Sequence, residues 1–205
     1  VTLKAGTTYK LSGEYIVEAG ATLNIEAGVK IISVYDDIVD YILIKQGAKI
    51  NAVGTPDKPI VMTSEKEEPG AWGGIHICGK AHTNAEGGKG SSEIGGAVYG
   101  GNDDADNSGT LQYIRLEYTG FAFDEEHEAN GISFYGVGNG TIVDHCEAYK
   151  GSDDGFEFFG GSVNVSNMVV VSCSDDSFDW TEGWNGKGTL SLIHISEPTR
   201  HLRIS

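Results

Sequence analysis

Six carboxylates recur at matching positions in two neighbouring segments of this chain. Residues 152–158 read SDDGFEF, and 22 residues later residues 174–180 read SDDSFDW. Acids occupy the second, third and sixth positions of both segments; the full set is Asp153, Asp154, Glu157, Asp175, Asp176 and Asp179. Calcium takes about 6–8 hard oxygen ligands of this kind. The pattern therefore predicts a metal site formed by these six residues, with Ca²⁺ as the expected ion.

The same acids also suit a purely structural role. Asp before Gly bonds its own backbone and tolerates tight turns, as at Asp154-Gly155. In that interpretation the carboxylates face water, where dissolved salt screens their repulsion. Both interpretations stay open at the level of sequence.

The fixed interval identifies the elements that carry the acids. Residues 143–149 align with residues 165–171 at the same period of 22, and Asn130-Gly131 aligns with Asp154-Gly155 at 24. A unit this short, rich in β-branched and aromatic residues and broken by Gly and Asp, predicts short strands joined by turns. No stretch shows a sustained helical apolar stripe. The fold class predicted is all-β, a parallel β-helix in which each coil packs on its neighbours.

Alternation along the strands assigns the side chains to two sides. Phe156 and Phe158 flank Glu157, and Phe178 and Trp180 flank Asp179 in the same way. Successive side chains of a strand point to opposite faces, so the aromatics are expected inside and the acids outside. In stacked coils the acids of one repeat would lie about 4.8 Å from those of the next.

The rest of the chain predicts one domain over residues 1–189. Short strands separated by glycine turns fill residues 1–63, and strands resume at 72–77 and 111–118. Two polar insertions interrupt the coils, at about 79–109 and 121–130. Long loops without periodicity are often functional.

Residues 190–205 resemble the in-frame translation of a sequencing-library transposase adapter. The match begins LSLIHISEPTR at Leu190. This segment is therefore predicted to be a non-native tail and is set aside, as a cloning scar would be. The natural sequence is then expected to be truncated near Thr189, and the start at Val1, which is not Met, suggests truncation there too.

Composition narrows the possible partners. The chain has 30 acidic and 14 basic side chains, giving a net charge of −16. Such a charge disfavours nucleic acid and anionic membranes as partners. No apolar run reaches the roughly 20 residues of a transmembrane helix. Three cysteines, an odd number, leave the redox compartment open.

Several motifs resemble a family of secreted bacterial right-handed β-helix proteins. They are PDKPIVMTS from Pro56, WGGI from Trp72, SDDGFEFFGG from Ser152, and DDSFDWTEGWNGK from Asp175. The resemblance covers most of residues 14–189. It implies a right-handed β-helix and export to the cell surface, periplasm or medium. Members are often described as surface or lipoprotein-like, which implies a lipid anchor outside the sequence given.

The acidic repeats are also similar to motifs of polygalacturonase-type glycosidases, which are β-helices as well. Asp153-Asp154-Gly155-Phe156-Glu157 resembles their NTDGFD strand, and Asp175-Asp176 resembles the DD pair one coil on. This resemblance would make Asp154, Asp175 and Asp176 the catalytic acid and base set of an inverting hydrolase. The GHG and RxK elements of that family would fall after Thr189. A calcium-dependent lyase would need a basic residue such as Arg115 or Lys150.

Aromatic residues complete the candidate set. Trp184, Tyr149 and Phe159 are predicted as exposed surfaces on which sugar rings stack, whereas Trp180 is expected in the core. The favoured function is that of a secreted or cell-surface binding or structural protein whose partner is a polysaccharide or other glycan. The alternatives are a polysaccharide-degrading enzyme, either the glycoside hydrolase or the lyase, and an adhesin or structural stalk.

Overall fold

The structure, a computed structural model, describes residues 1–36, 38–124 and 127–194. It confirms the predicted parallel β-helix. Within the described residues there are 20 strands, numbered β1 to β20 along the chain, and a 3₁₀ turn at Glu86–Gly88. Apart from a small hairpin, the strands pair in parallel with strands of the preceding and following coils. No described helix has the length and apolar character needed to cross a membrane.

Each coil contributes strands to three faces. Face 1 is a six-stranded sheet composed of β3 (Glu14–Val17), β6 (Tyr41–Ile44), β9 (Ile75–Cys78), β13 (Ile132–Tyr135), β15 (Phe156–Phe159) and β18 (Phe178–Thr181). Face 2 contains β1 (Thr2–Leu3), β4 (Thr22–Ile25), β7 (Lys49–Val53), the first halves of β12 (Gly109–Glu117) and β14 (Ile142–Tyr149), β16 (Asn164–Ser166) and β19 (Gly188–Thr189).

Face 3 contains β2 (Thr8–Leu11), β5 (Lys30–Ser33), β8 (Ile60–Ser64), the second halves of β12 and β14, β17 (Val169–Val171) and β20 (Leu192–His194). The long strands β12 and β14 turn the corner between faces 2 and 3 at Tyr113 and His145. Both residues have left-handed backbone, with φ of 50° and 52°.

Apolar side chains from all three faces fill the interior, one layer per coil. Phe134 stacks on Phe158 of the next coil with ring centroids 5.1 Å apart, and Phe156 lies 5.7 Å from Phe178. The rings of Phe134, Phe156 and Phe158 are at most 1% exposed. Glu157 and Asp179 point outward between these rings, as the alternation predicted.

Residues 79–109, here called the strap, leave the solenoid after β9 and cross the outside of face 1. They contain the hairpin of β10 (Gly90–Ser91) and β11 (Val98–Tyr99). Ile94, Ala97 and Tyr99 pack on the outward side chains of face 1 and bury them, forming a second apolar cluster outside the barrel. The strap is also hydrogen-bonded to an earlier coil of the solenoid. The side-chain amide of Gln46 donates to the carbonyls of Gly79 and Gly100.

Glu182 holds the far end of the strap. Its carboxylate accepts hydrogen bonds from Tyr99, at 2.8 and 2.9 Å, and from Thr83 at 2.5 Å. Glu182 has φ of 51°, although Gly160 occupies the same turn one coil earlier with φ of 63°. A non-glycine residue in this region is strained. Glu182 adopts this conformation while its carboxylate is bonded to Tyr99 and Thr83 of the strap.

The prediction that Trp180 lies in the core is wrong, because this residue is 61% exposed. It pairs in register with Phe158 and so points to the interior side, but it belongs to the last described coil. Trp184 occupies the layer over Phe158, with ring centroids 4.5 Å apart. Beyond β19, residues Leu192–His194 of the predicted tail pair in parallel with Val169–Val171 of face 3.

The aromatic stack yields a stability prediction. Replacing Phe134 by Ala leaves a cavity between two coils, and a buried Phe→Ala change costs about 3–5 kcal/mol of unfolding free energy. The matched control is Phe123→Ala, because that ring is 40% exposed and should cost much less. Urea unfolding of both variants measures the difference. Equal losses for the two variants would contradict a core held by stacked rings.

Candidate functional site

The predicted acids lie at one corner of the solenoid, beside the uncovered end of face 1. Glu157 on β15 and Asp179 on β18 are partners in the strand register, and both side chains project outward. Asp153 and Asp154 lie in the turn before β15, and Asp175 lies in the turn before β18. The repeat thus brings residues of two successive coils to the same corner.

Five of the six acids form an acidic cluster, defined here as Asp153, Asp154, Glu157, Asp175 and Asp179. Within it are two groups of three, Asp153, Asp154 and Asp175 in the outer group and Asp154, Glu157 and Asp179 in the inner one. In each group one oxygen from every residue lies within 4.8 Å of the others. Asp154, which is 8% exposed, belongs to both groups.

Asp176, the sixth acid, lies outside both groups. Its side chain is exposed, and its backbone N–H donates to Asp154 Oδ1 at 2.9 Å. Asp176 therefore contributes its backbone N–H to this corner, and that hydrogen bond orients the Asp154 carboxylate. A repeat in sequence shows that two acids occupy equivalent turns, but the direction of each side chain depends on the local backbone.

The cluster lacks compensating positive charge. Among the described residues, none of its five carboxylates forms an ion pair with a lysine or arginine; the lysine and arginine pairs present are those of Lys4, Lys10, Lys45, Lys66 and Arg115. Two unit charges about 4 Å apart interact by roughly 1 kcal/mol in water and about 4 kcal/mol near a protein surface. Crowded carboxylates therefore need protons or a cation.

Burial and mutual repulsion raise the pKa values of three carboxyls in the cluster, those of Asp153, Asp154 and Glu157. Burial, followed by the charges of Glu128 and Asp175, raises the pKa of Asp153 to about 6. Burial and then the charge of Asp153 raise the pKa of Asp154 to about 7. Burial and then the charge of Glu93 raise the pKa of Glu157 to about 9.

Two further residues belong to this corner and were missed by sequence reasoning. Glu93 comes from the strap, and burial raises its pKa to about 7, with the charge of His127 opposing. Asn130, 1% exposed, donates from Nδ2 to Glu157 Oε2 at 2.6 Å and to Ser133 Oγ at 3.1 Å. The alignment of Asn130-Gly131 with Asp154-Gly155 carried a signal for Asn130, whereas nothing in the repeat pointed to Glu93.

Asn130 also provides a test of whether a cation fits. Its Oδ1 is buried and has no hydrogen-bond partner in the structure. Leaving a buried polar atom unpaired costs free energy, so such atoms usually indicate a partner. The atom of Asn130 that contacts the cluster is Nδ2, through its bond to Glu157, and no contact between Oδ1 and a carboxylate is present among the described residues. The cluster itself supplies carboxylate oxygens, which are ligands of the kind that calcium takes.

The predicted catalytic set is only partly brought together. Asp154 and Asp175 have oxygens within 4.8 Å of each other, and Asp176 lies apart from them. Inverting hydrolysis needs carboxyls about 6.5–9.5 Å apart, with room for a water molecule. The basic residues considered for a lyase lie elsewhere: Arg115 on face 3 contacts Glu147 at 2.7 Å, and Lys150 lies 5.2 Å from the Tyr149 ring centre.

The predicted sugar-stacking residues do not form a common surface. Phe159 is 7% exposed, because it stacks on Tyr135 within the cluster covered by the strap, and this corrects its assignment as an exposed surface. Trp184 is half-buried against Phe158 and donates to the Val163 carbonyl at 3.1 Å. Tyr149 is half-buried on face 3 beneath the Arg115 guanidinium, 4.3 Å from its ring centre.

The fold and this corner together define a class of protein: a parallel β-helix with a lateral group of carboxylates. The chain belongs to the family described as the pectate-lyase-like β-helix domain, whose profile matches residues 1–201. That membership indicates a function related to polysaccharides. No curated protein and no solved structure is similar enough to the chain to count as a match.

The raised pKa values predict how stability depends on pH without divalent cations. A carboxyl with a raised pKa keeps its proton in the folded state over a range where the unfolded chain has lost it, so stability falls as pH rises. For Asp153, Asp154 and Glu157 the range runs from about 4 in the unfolded chain to about 9.

Melting temperatures in a chelator from pH 5 to 9 test this prediction, with Glu157→Gln as the comparison. His82, whose pKa is raised by bonds to the Gly183 carbonyl and Asp104, also stabilises more at low pH, and this contribution is lost as pH rises through its folded-state pKa. The His82 contribution is the same in the wild type and in Glu157→Gln, so the difference between their melting-temperature profiles reports on Glu157. Parallel profiles for wild type and variant would contradict the assignment.

Proposed function

We propose that this protein is a secreted or cell-surface polysaccharide-binding β-helix whose acidic cluster binds calcium. The observation that supports the calcium site is the convergence of Asp154, Glu157 and Asp179, whose carboxylates have no lysine or arginine partner among the described residues. Membership in the pectate-lyase-like β-helix family supports the polysaccharide. The binding role is favoured over catalysis because the candidate hydrolase residues are not brought together as one set: Asp176 lies outside the group that contains Asp154 and Asp175.

Calcium at this corner would act on the structure itself. The inner group joins β15 to β18, and the outer group joins the turns before these strands. A bound divalent ion would replace the repulsion between the two coils with shared coordination. The chain's own residues would thereby hold the last coils in register and keep the solenoid surface rigid for its ligand.

A calcium titration tests the site. Calcium that binds only the folded state adds stability, about 2.7 kcal/mol at a concentration one hundred times the dissociation constant. We expect calcium to raise the melting temperature of the wild type and not of Asp154→Asn, because the amide lowers the ligand charge in both groups. Asn keeps an oxygen able to accept the Asp176 N–H bond, so the variant should fold.

The controls separate a specific site from general charge screening. Asp57→Asn removes the same charge from an exposed turn and should respond to calcium as the wild type does. Asp179→Asn gives a second test within the inner group. Magnesium should replace calcium poorly, because it demands a smaller, near-ideal octahedral site. An equal calcium response in Asp154→Asn and Asp57→Asn would refute the site.

Polysaccharide turnover distinguishes the binding role from the hydrolase alternative. We expect the protein to sediment with insoluble polysaccharides while releasing no reducing ends over many hours, with and without calcium. Release of reducing ends that disappears in Asp154→Asn and Asp175→Asn but persists in Asp57→Asn would instead establish the hydrolase. An ultraviolet absorbance assay for unsaturated products tests the lyase alternative in the same samples.

A further inference from the structure

The three faces of the solenoid differ in what covers them. The strap closes off the outward residues of β6, β9 and β13 on face 1, so that Leu43, His76 and Tyr135 are 0% exposed. On face 3, Arg115 forms ion pairs with Glu117 and Glu147. In the part of the chain that the structure describes, neither insertion covers face 2, and its outward side chains are half-buried or exposed.

Two columns of side chains run along the outside of face 2, and together they are called the polar strip. Strand register places Asn24, Asn51, Thr110, Ile142 and Asn164 in the first column. It places Val53, Gln112, Asp144, Ser166 and Thr189 in the second. Neighbours in a column lie about 4.8 Å apart, one coil after another.

The strip is nearly free of unbalanced charge on a strongly acidic protein. Its one carboxylate, Asp144, accepts bonds from Ser166 at 2.7 Å and from Asn167 at 2.8 Å, and contacts His145 Nδ1 at 2.8 Å. Lys49 and Lys187 flank the strip at its edge and near its end. The remaining polar groups are amides and hydroxyls, which both donate and accept hydrogen bonds.

The strip also has apolar contact points and a depression. Ile142 is 51% exposed and Val53 is 42% exposed, each in line with amides or hydroxyls. At its end the strip enters a groove of about 490 Å³ lined by Asn139, Ser162, Asn164, Asn185 and Lys187. One exposed aliphatic side chain in each column, among groups that hydrogen-bond hydroxyls, suits a sugar ring, which has polar edges and apolar C–H faces.

We infer that the polar strip of face 2 binds an uncharged polysaccharide lying along the solenoid axis, independently of the acidic cluster. The inference rests on the proposed polysaccharide-binding function and names its surface and ligand class. An acidic polymer fits less well, because the protein's net charge of −16 repels polyanions and the ten residues of the strip include no lysine or arginine. A polymer along face 1 would meet the strap.

Affinity electrophoresis in native gels tests the inference with hydroxyethylcellulose, xyloglucan and glucomannan as uncharged probes and polygalacturonate as the charged one. We expect at least one uncharged probe to slow the protein in the presence of a calcium chelator. Ile142→Arg places a long charged side chain in the strip. It should weaken the affinity for the retarding polysaccharide about tenfold, equivalent to about 1.4 kcal/mol of binding free energy.

The matched control is Val98→Arg, on the strap, where the wild-type side chain is 56% exposed; it should be slowed like the wild type. Asp154→Asn should also be slowed normally, and calcium should stabilise Ile142→Arg as it does the wild type. Retardation that is unchanged by Ile142→Arg, or lost in Asp154→Asn, would contradict binding at the polar strip but not polysaccharide binding by the protein. Retardation by polygalacturonate alone overturns the ligand class, and no retardation by any probe overturns both proposals.

Discussion

Register between coils is the constraint on which the rest of this structure depends. In a parallel β-helix each residue is placed about 4.8 Å from its counterpart one coil away, so similar residues are forced to meet. Inside the solenoid the meeting is favourable, as for Phe134 and Phe158. Outside, the same register brings Glu157 against Asp179, and the repulsion must be relieved. One geometric rule thus produces both the stable core and the strained acidic corner.

The insertions then decide which parts of the repetitive surface remain available. The strap covers face 1 up to the acidic cluster and is fastened through Glu182. It also contributes Glu93, which adds a further carboxyl to a corner that is already crowded. The outcome is an uncovered amide and hydroxyl surface on face 2 and a compact set of carboxylates at the edge of face 1. These two features support different roles, one in binding a ligand and the other in holding coils together.

Much of the fold could be predicted from the chain alone, because period and alternation are properties of sequence. The 22-residue interval and the pattern of Phe156, Glu157 and Phe158 specified coil length and side-chain direction. The acidic corner was predicted less completely. Asp176 repeats in sequence but turns away, Glu93 arrives from a loop with no period, and Phe159 is buried by the strap. Contacts made by an insertion depend on where its chain folds back, which repeat spacing does not encode.

The most direct test of the account is to locate the ion. Crystals grown with calcium and measured at a long X-ray wavelength would give an anomalous difference map in which calcium is visible. The account predicts a peak about 2.3–2.6 Å from carboxylate oxygens of Asp154, with Glu157 or Asp179 also coordinating. A map without a peak at this corner, and with the carboxyls bonded directly to one another through shared protons, would contradict it.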